Sequence, residues 1–302
     1  MNVAKYFEVK RSIEKLRELS LQNAIPENYV TILKTINNSL PHTAITIKDG
    51  FTLYRSRQNV IGRLFEHVDE LKYPLQKYVR SKGRFNDVGQ SIFYASSSML
   101  GTIIESRPSI NYIVTIAKIK QKNNSLIWFL PLGFRDHHFS TTPKDKTHEL
   151  VLNYLNEELT KTTLINDDYN STIAISNFFM NLEVKYGTVE IIPNAFAQKN
   201  CGLIYPSIQS KLVSNRTTQN VAMKPSLYED FYKIIEADVY CLTLRPDYIN
   251  PDTALLVPLN NGLVEDDGVI KWKFTFSEMV NRASKGIDCY AHYDQNLISL
   301  IF

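Results

Sequence analysis

Beyond residue 51 the chain repeatedly falls into a two-residue hydrophobic period, yet the helical segments in between do not arrive in regular turn. Residues 111–119 (NYIVTIAKI) alternate cleanly and residues 51–55 do so over a shorter span. Residues 91–96 (SIFYAS) and 126–130 (LIWFL) are short apolar runs rich in β-formers. Further strands are expected at 188–192, 238–244, 254–257 and 269–276. Helices are expected at 99–106, 148–159, around 173–182 and from 226 to 235. A doubly wound parallel sheet needs strands and helices in alternation, so this order points instead to an α+β fold. The polar stretch 136–146 (DHHFSTTPKDK) reads as a long exposed loop.

Before residue 51 the period is helical. Ile13, Leu16 and Leu19 recur at helical spacing with Lys10, Arg11, Glu14, Lys15, Arg17 and Glu18 between them. Pro26 and Glu27 open a second helix that runs to Asn37 and Asn38. The expected organisation is a helical N-terminal extension, residues 1–50, before one main domain, residues 51–302.

Charge and cysteine usage narrow the function classes. Lys plus Arg is 34 against 31 for Asp plus Glu, a net +3, which gives no electrostatic footprint for nucleic acid or an anionic membrane. Cys201, Cys241 and Cys289 are odd in number and far apart, which argues against a disulfide framework or a zinc ribbon. No run reaches the length of a membrane span, and the segment MNVAKYFEVKRSIEKL has no apolar core of signal-peptide length. A cytoplasmic protein is expected. G-x-G-x-x-G after a strand, G-x-x-x-x-G-K-[ST], H-E-x-x-H and G-x-S-x-G are all missing. His137 and His138 are adjacent and read as loop residues, so no metal site is expected.

Four short segments carry side chains suited to chemistry. Arg55 follows Tyr54 in a strand-like position, where its planar fork can reach a phosphate. Gly83, Arg84, Phe85 and Asn86, with Gly89 after them, form a turn that lets backbone approach a ligand while Arg84 brings charge and Asn86 an amide. Tyr94 leads through the helix-capping serines 96–98 to Glu105, a carboxylate beside the apolar Met99, Leu100, Ile103 and Ile104. Tyr205 and Pro206 make a rigid strand end before Ser207, and Asn220 precedes Val221 and Ala222. Taken singly, each segment has an ordinary reading: a surface arginine, a turn, a helix-surface glutamate, a strand edge.

In this order and at this spacing the segments resemble the RES-domain family. The likeness covers residues 55–222 and includes Asp69, Glu70, Leu71, Lys72, Tyr73 and Pro74, with no specific match in residues 1–50 and little after Pro225. It implies a split, mostly antiparallel β core similar to diphtheria-toxin-like ADP-ribosyltransferases. It implies NAD as substrate, with no prosthetic group. The implied activity is cleavage of the nicotinamide–ribosyl bond, as an NAD glycohydrolase or phosphorylase, in a toxin of a toxin–antitoxin or defence system. Arg55, Glu105 and Ser207 would be the catalytic positions, and Arg84, Asn86, Tyr94, Tyr205 and Asn220 would bind NAD. An antitoxin or immunity protein would be the partner. Two other readings stand beside this one: ADP-ribosyl transfer from NAD to a protein acceptor, and a catalytically idle nucleotide sensor.

Overall fold

Helix α1 (Val3–Leu21) starts where the Asn2 side chain accepts the Lys5 amide at 3.2 Å, and it turns Val9, Ile13 and Leu16 inward. Pro26 opens a 3-10 turn, Pro26–Tyr29, that runs into helix α2 (Val30–Asn37). Tyr29, Leu33 and Ile36 are fully buried there. These side chains share one core with α4 (Lys146–Leu159), α5 (Asn170–Met180) and the inner residues Leu203, Tyr205 and Ala222 of the sheet. Each buried leucine or isoleucine among them contributes roughly 1.5–3 kcal/mol by leaving water.

The structure is a computed structural model. It describes residues 2–39, 45–47, 51–106, 108, 112–122, 127–134, 145–161, 169–182, 201–207, 218–244, 253–284 and 299–301. Its strands are β1 (Ile45–Ile47), β2 (Leu53–Gln58), β3 (Phe93–Ser96), β4 (Ile113–Gln121), β5 (Ile127–Pro131), β6 (Gly202–Pro206), β7 (Gln219–Met223), β8 (Tyr232–Leu244), β9 (Thr253–Val264), β10 (Ile270–Trp272) and β11 (Ser299–Ile301). They form one 11-stranded sheet in the order β1-β5-β6-β7-β3-β2-β4-β8-β9-β10, with β11 also on β9. Only β5 and β6 pair in parallel among the described strands; the rest are antiparallel. The fold is therefore mixed α and β around a large, mostly antiparallel sheet.

The sheet parts between β2 and β3. Those strands share a single register pair, Tyr54 with Ser96, whereas β2 runs beside β4 from Leu53–Ile119 to Gln58–Val114. Past that pair the Ser56 N–H has no β3 carbonyl and donates instead to Thr102 Oγ1 of helix α3 (Met99–Ser106) at 2.9 Å. Ser56 Oγ returns the bond to the Thr102 carbonyl at 3.0 Å. Helix α3 therefore stands at the mouth of the opening, with Ile103 and Ile104 packed on Tyr54, Val114, Ile116 and Tyr240. The opposite sheet face buries Leu53, Phe93, Ala117, Val221 and Met223 under Leu71, Leu227 and Tyr228.

Some expected boundaries shift for local reasons. The helix expected from 226 to 235 is α6 (Pro225–Phe231) alone, and β8 takes over at Tyr232. Tyr232 and Ile234 are buried while Lys233 between them is exposed, the alternation of a strand. The strand expected at 269–276 is only β10, and α7 (Phe276–Ser284) follows. Thr275 and Glu278 form the box that starts α7: the Glu278 carboxylate accepts from the Thr275 amide at 2.8 Å, and Thr275 Oγ1 accepts the Glu278 amide at 3.3 Å. Helix α4 begins two residues before its expected start, because Asp145 caps it by accepting from the Thr147 and His148 amides, both at 2.9 Å. The expected strand at 188–192, the histidines His137 and His138, and Cys289 lie outside the described residues. No described helix is long and apolar enough to cross a membrane.

Candidate active site

Glu105 lies in the last turn of α3, and what brings it to its partners is a glycine one turn earlier. A Cβ on Gly101 would sit 2.3 Å from Ser96 Oγ and 3.0 Å from Thr218 Oγ1, so a larger residue here would have to displace these hydroxyls for α3 to lie this close to the strand ends. Ser98 Oγ accepts the Gly101 amide at 3.0 Å and fixes the start of the helix, as the serine run leads one to expect. At the far side of this contact β6 ends at Pro206, and the Ser207 N–H extends the ladder to the Thr218 carbonyl at 2.9 Å. Ser207 Oγ then donates to Glu105 Oε1 at 2.5 Å, and Asn220 Nδ2 donates to the same oxygen at 2.8 Å.

The arrangement is asymmetric. Glu105 is exposed, while Ser207 and Asn220 are 0% and 2% exposed. Two buried donors thus hold one carboxylate oxygen, and the other takes no hydrogen bond among the described residues. Such a grip fixes the side-chain rotamer and leaves an anionic oxygen at the protein surface.

Arg55 occupies the opening between β2 and β3. Its Nη1 donates to the Tyr94 carbonyl at 2.6 Å and its Nε to the Leu71 carbonyl at 3.0 Å, with the guanidinium 5.4 Å from the Phe93 ring centroid. No carboxylate pairs with it among the described residues. Burial first, and then the neighbouring Arg57, pull Arg55 down to about 9, partly offset by the tyrosines Tyr94, Tyr228 and Tyr205. Arg57, two residues on and so on the same side of the strand, donates to the Lys72 carbonyl at 2.5 Å. Its Nε is buried without a partner among the described residues, and burial lowers the Arg57 guanidinium as well, against the pull of Glu70. Two guanidinium groups with a deficit of negative charge are suited to an anionic ligand.

Tyr205 lies within electrostatic reach of these groups. It stands opposite Asn220 in the β6–β7 register, and its phenol is raised well above its ordinary value by burial, then by Glu105 and Tyr94. Arg84 and Arg55 act on it in the opposite sense. Its ring meets Phe85 edge-on at 4.6 Å.

The segment 83–86 closes on itself through Gly83 N–H to the Asn86 carbonyl at 2.9 Å. A Cβ on Gly83 would strike the Asn86 amide oxygen at 2.4 Å, and Gly89 has φ +76°, so both glycines are required by the turn. Tyr94 Oη donates to Asn86 Oδ1 at 3.0 Å and accepts the Phe85 amide at 3.1 Å, while its ring stacks on Phe85 at 6.3 Å. Asn86 Nδ2 is taken by the Ser81 and Asp87 carbonyls at 3.4 and 3.3 Å. Asn86 and Tyr94 therefore latch the turn to β3. Arg84 Nη1 donates to the Leu159 carbonyl at 3.3 Å.

Of the residues singled out from sequence, Glu105, Ser207 and Asn220 are joined directly, Arg55 and Asn86 are joined to Tyr94, and Tyr205 and Arg84 lie within electrostatic reach. Thr102 and Arg57 belong to the same neighbourhood and were not anticipated. The alternation of Arg55 and Arg57 about Ser56 was the available signal for Arg57; Thr102 had none. Cys201 is buried, and burial pushes its thiol up to about 12, which makes it a packing residue. No group of three or more His, Cys, Asp or Glu side chains is placed to hold a metal among the described residues. Comparison of the chain with protein-family models, with curated proteins and with solved structures returns no match.

Proposed function

We propose that the chain consumes NAD by cleaving its nicotinamide–ribosyl bond, through hydrolysis or phosphorolysis. The observation that carries this reading is the surface carboxylate of Glu105, gripped by the buried Ser207 and Asn220, with Arg55, which has no carboxylate partner among the described residues, bonded to the nearby strand at the Tyr94 carbonyl. In NAD the nicotinamide nitrogen is cationic. When the C–N bond breaks, the electron pair leaves with nicotinamide and positive charge develops on the ribosyl carbon. A fixed carboxylate stabilises that charge more than it stabilises the ground state. An oxygen of water or phosphate then forms the new bond, and a proton passes to solvent. Arg55 and Arg84 hold the pyrophosphate in this reading. Ser207 and Asn220 are positioning residues, because their donors are committed to Glu105.

In this reading the single register pair between β2 and β3 marks the split of an ADP-ribosyltransferase-like core in a RES-like domain, with α1 and α2 as its N-terminal extension. The physiological setting we propose is a cytoplasmic toxin or defence effector with an antitoxin or immunity protein as partner. The exposure of Glu105 also favours a second reading, ADP-ribosyl transfer, since a protein acceptor can reach a carboxylate at the surface.

Nicotinamide release from NAD, followed with and without phosphate beside Glu105→Gln, tests the proposal. Release that depends on Glu105 supports it, and the phosphate dependence separates phosphorolysis from hydrolysis. Release only with a protein acceptor selects transfer. Binding of NAD without release in either setting leaves a sensor and overturns the enzyme reading.

A further inference from the structure

The segment that carries Arg84 and Asn86 is laid along α5 by side-chain hydrogen bonds. Lys82 Nζ donates to Asn170 Oδ1 at 2.7 Å, Thr172 Oγ1 to the Arg84 carbonyl at 2.6 Å, and Ser176 Oγ to the Phe85 carbonyl at 3.3 Å. Gln90 Nε2 donates to Asn177 Oδ1 at 2.5 Å. The position of α5 therefore sets the position of the turn.

The first residue of α5 also reaches the other way. Asn170 Nδ2 donates to the carbonyl of Asn23 at 3.1 Å and to Asn23 Oδ1 at 2.8 Å. Asn170 is 5% exposed, and its side-chain oxygen and nitrogen are both engaged. Asn23 sits just past α1 with φ 50°, the left-handed region that a side chain occupies at a cost. Glycine fits that conformation freely, so reversing the chain does not by itself call for asparagine. What asparagine adds is a second acceptor aimed at Asn170. The same bodies are tied again by Glu158 of α4, which accepts from Ser171 Oγ at 2.8 Å and from Ser20 Oγ at 3.5 Å.

We propose that the Asn23 turn is a positioning element for the segment 83–86, acting through Asn170 and Lys82. The N-terminal helices then help hold the arginine and amide of the candidate site in place. The catalytic consequence rests on the reading of Arg84 as a ligand for NAD, whereas the mechanical coupling does not.

The test uses full-length Asn170→Ala, Lys82→Met and Asn23→Gly proteins, with hydrogen exchange at the 83–86 amides and KM and kcat for NAD cleavage. Asn170→Ala is expected to speed exchange at 83–86 by about five- to tenfold, the effect of losing one net hydrogen bond. KM for NAD should rise by a similar factor with kcat nearly unchanged. Asn23→Gly should give less, because its backbone carbonyl still accepts. Asn170→Asp keeps the acceptor for Lys82 and should restore part of the protection. A purely structural role predicts faster exchange throughout the chain, with kcat falling alongside, and that outcome overturns the proposal. Unchanged 83–86 exchange in both Asn170→Ala and Lys82→Met also overturns it. Local loosening in a protein that never releases nicotinamide supports the coupling and removes the NAD reading.

Discussion

The two wings of the sheet are built differently. On one side of the Tyr54–Ser96 junction lie long ladders: β4 runs beside β8 from Ile113–Cys241 to Gln121–Tyr232, and β8 runs beside β9 from Glu236–Leu263 to Leu244–Ala254. On the other side β3, β6 and β7 are 4 or 5 residues long; β3 ends in Ser96, Ser207 follows the end of β6, and β7 begins with the polar pair Gln219 and Asn220. Long strands satisfy most of their backbone groups within the ladder, here with one irregularity in each pair, between Lys118 and Ile119 and between Val239 and Tyr240. Short strands bring their ends, and the side chains on them, close to a neighbouring helix. In this chain α3 meets those ends, and the contact joins Glu105 to Ser207 and Asn220. One wing is scaffold and the other carries the candidate chemistry.

Four measurements break or sharpen that contrast. Glu105→Gln should lower kcat for nicotinamide release by roughly 10²–10³-fold and move the melting temperature by less than about 2 °C, because the side chain is exposed. Activity at the parental level would remove the chemistry from the short-strand wing. A matched glycine pair comes next. A Cβ on Gly202 would lie 2.1 Å from the Phe129 ring, and one on Gly262 would lie 2.8 Å from the Trp272 ring. Each alanine variant should cost roughly 1–3 kcal/mol in urea unfolding. Only Gly202→Ala, on the strand that leads to Ser207, should also lower kcat/KM per folded molecule. Equal kinetic damage from Gly262→Ala would erase the distinction between the wings.

Ser207→Ala removes one of two donors to the Glu105 carboxylate, so kcat should drop by about tenfold, less than in Glu105→Gln. A larger loss would mean that Ser207 touches substrate itself. The smallest effect concerns the opening between the wings. Pyrophosphate at ten times its Kd should stabilise the folded protein by about 1.4 kcal/mol in a thermal-shift titration, and Arg55→Lys should abolish most of it. Arg55 without a ligand sits at about 9, and a bound anion raises it, so affinity should be full below that pH and fall as pH climbs through it. Affinity that is flat from pH 7 to 10 would take Arg55 out of the anion site.

Much of the architecture is legible where local chemistry acts alone. The serines before Met99 and the apolar run behind them give α3 its limits, and Ile13 and Leu16 mark the inner face of α1. The segment after Phe231 misleads because Tyr232, Ile234 and Ile235 suit either period, and only pairing with β4 decides between them. Thr275 with Glu278 is a readable helix start that stayed hidden inside a run of aromatic residues. For the candidate site, the residue types were legible but their relations were not. The resemblance makes Asn220 an NAD-binding residue, yet its amide holds a carboxylate 115 positions away. Tyr94 is likewise implied to bind NAD, yet its hydroxyl latches Asn86. Such roles depend on register across β3, β7 and β6, which no local window contains.

The separation of Glu105 from Ser207 by 102 positions and from Asn220 by 115 also bears on when the site can exist. Contacts between distant parts of a chain form late, after the loops between them have closed. During synthesis α3 leaves the ribosome long before the strands that must meet it, and the parallel pairing of β5 with β6 waits for the same stretch. If the chain consumes NAD, a nascent or truncated copy lacks the gripped carboxylate and is inert. The gripped carboxylate is thus among the last features of the fold to be completed.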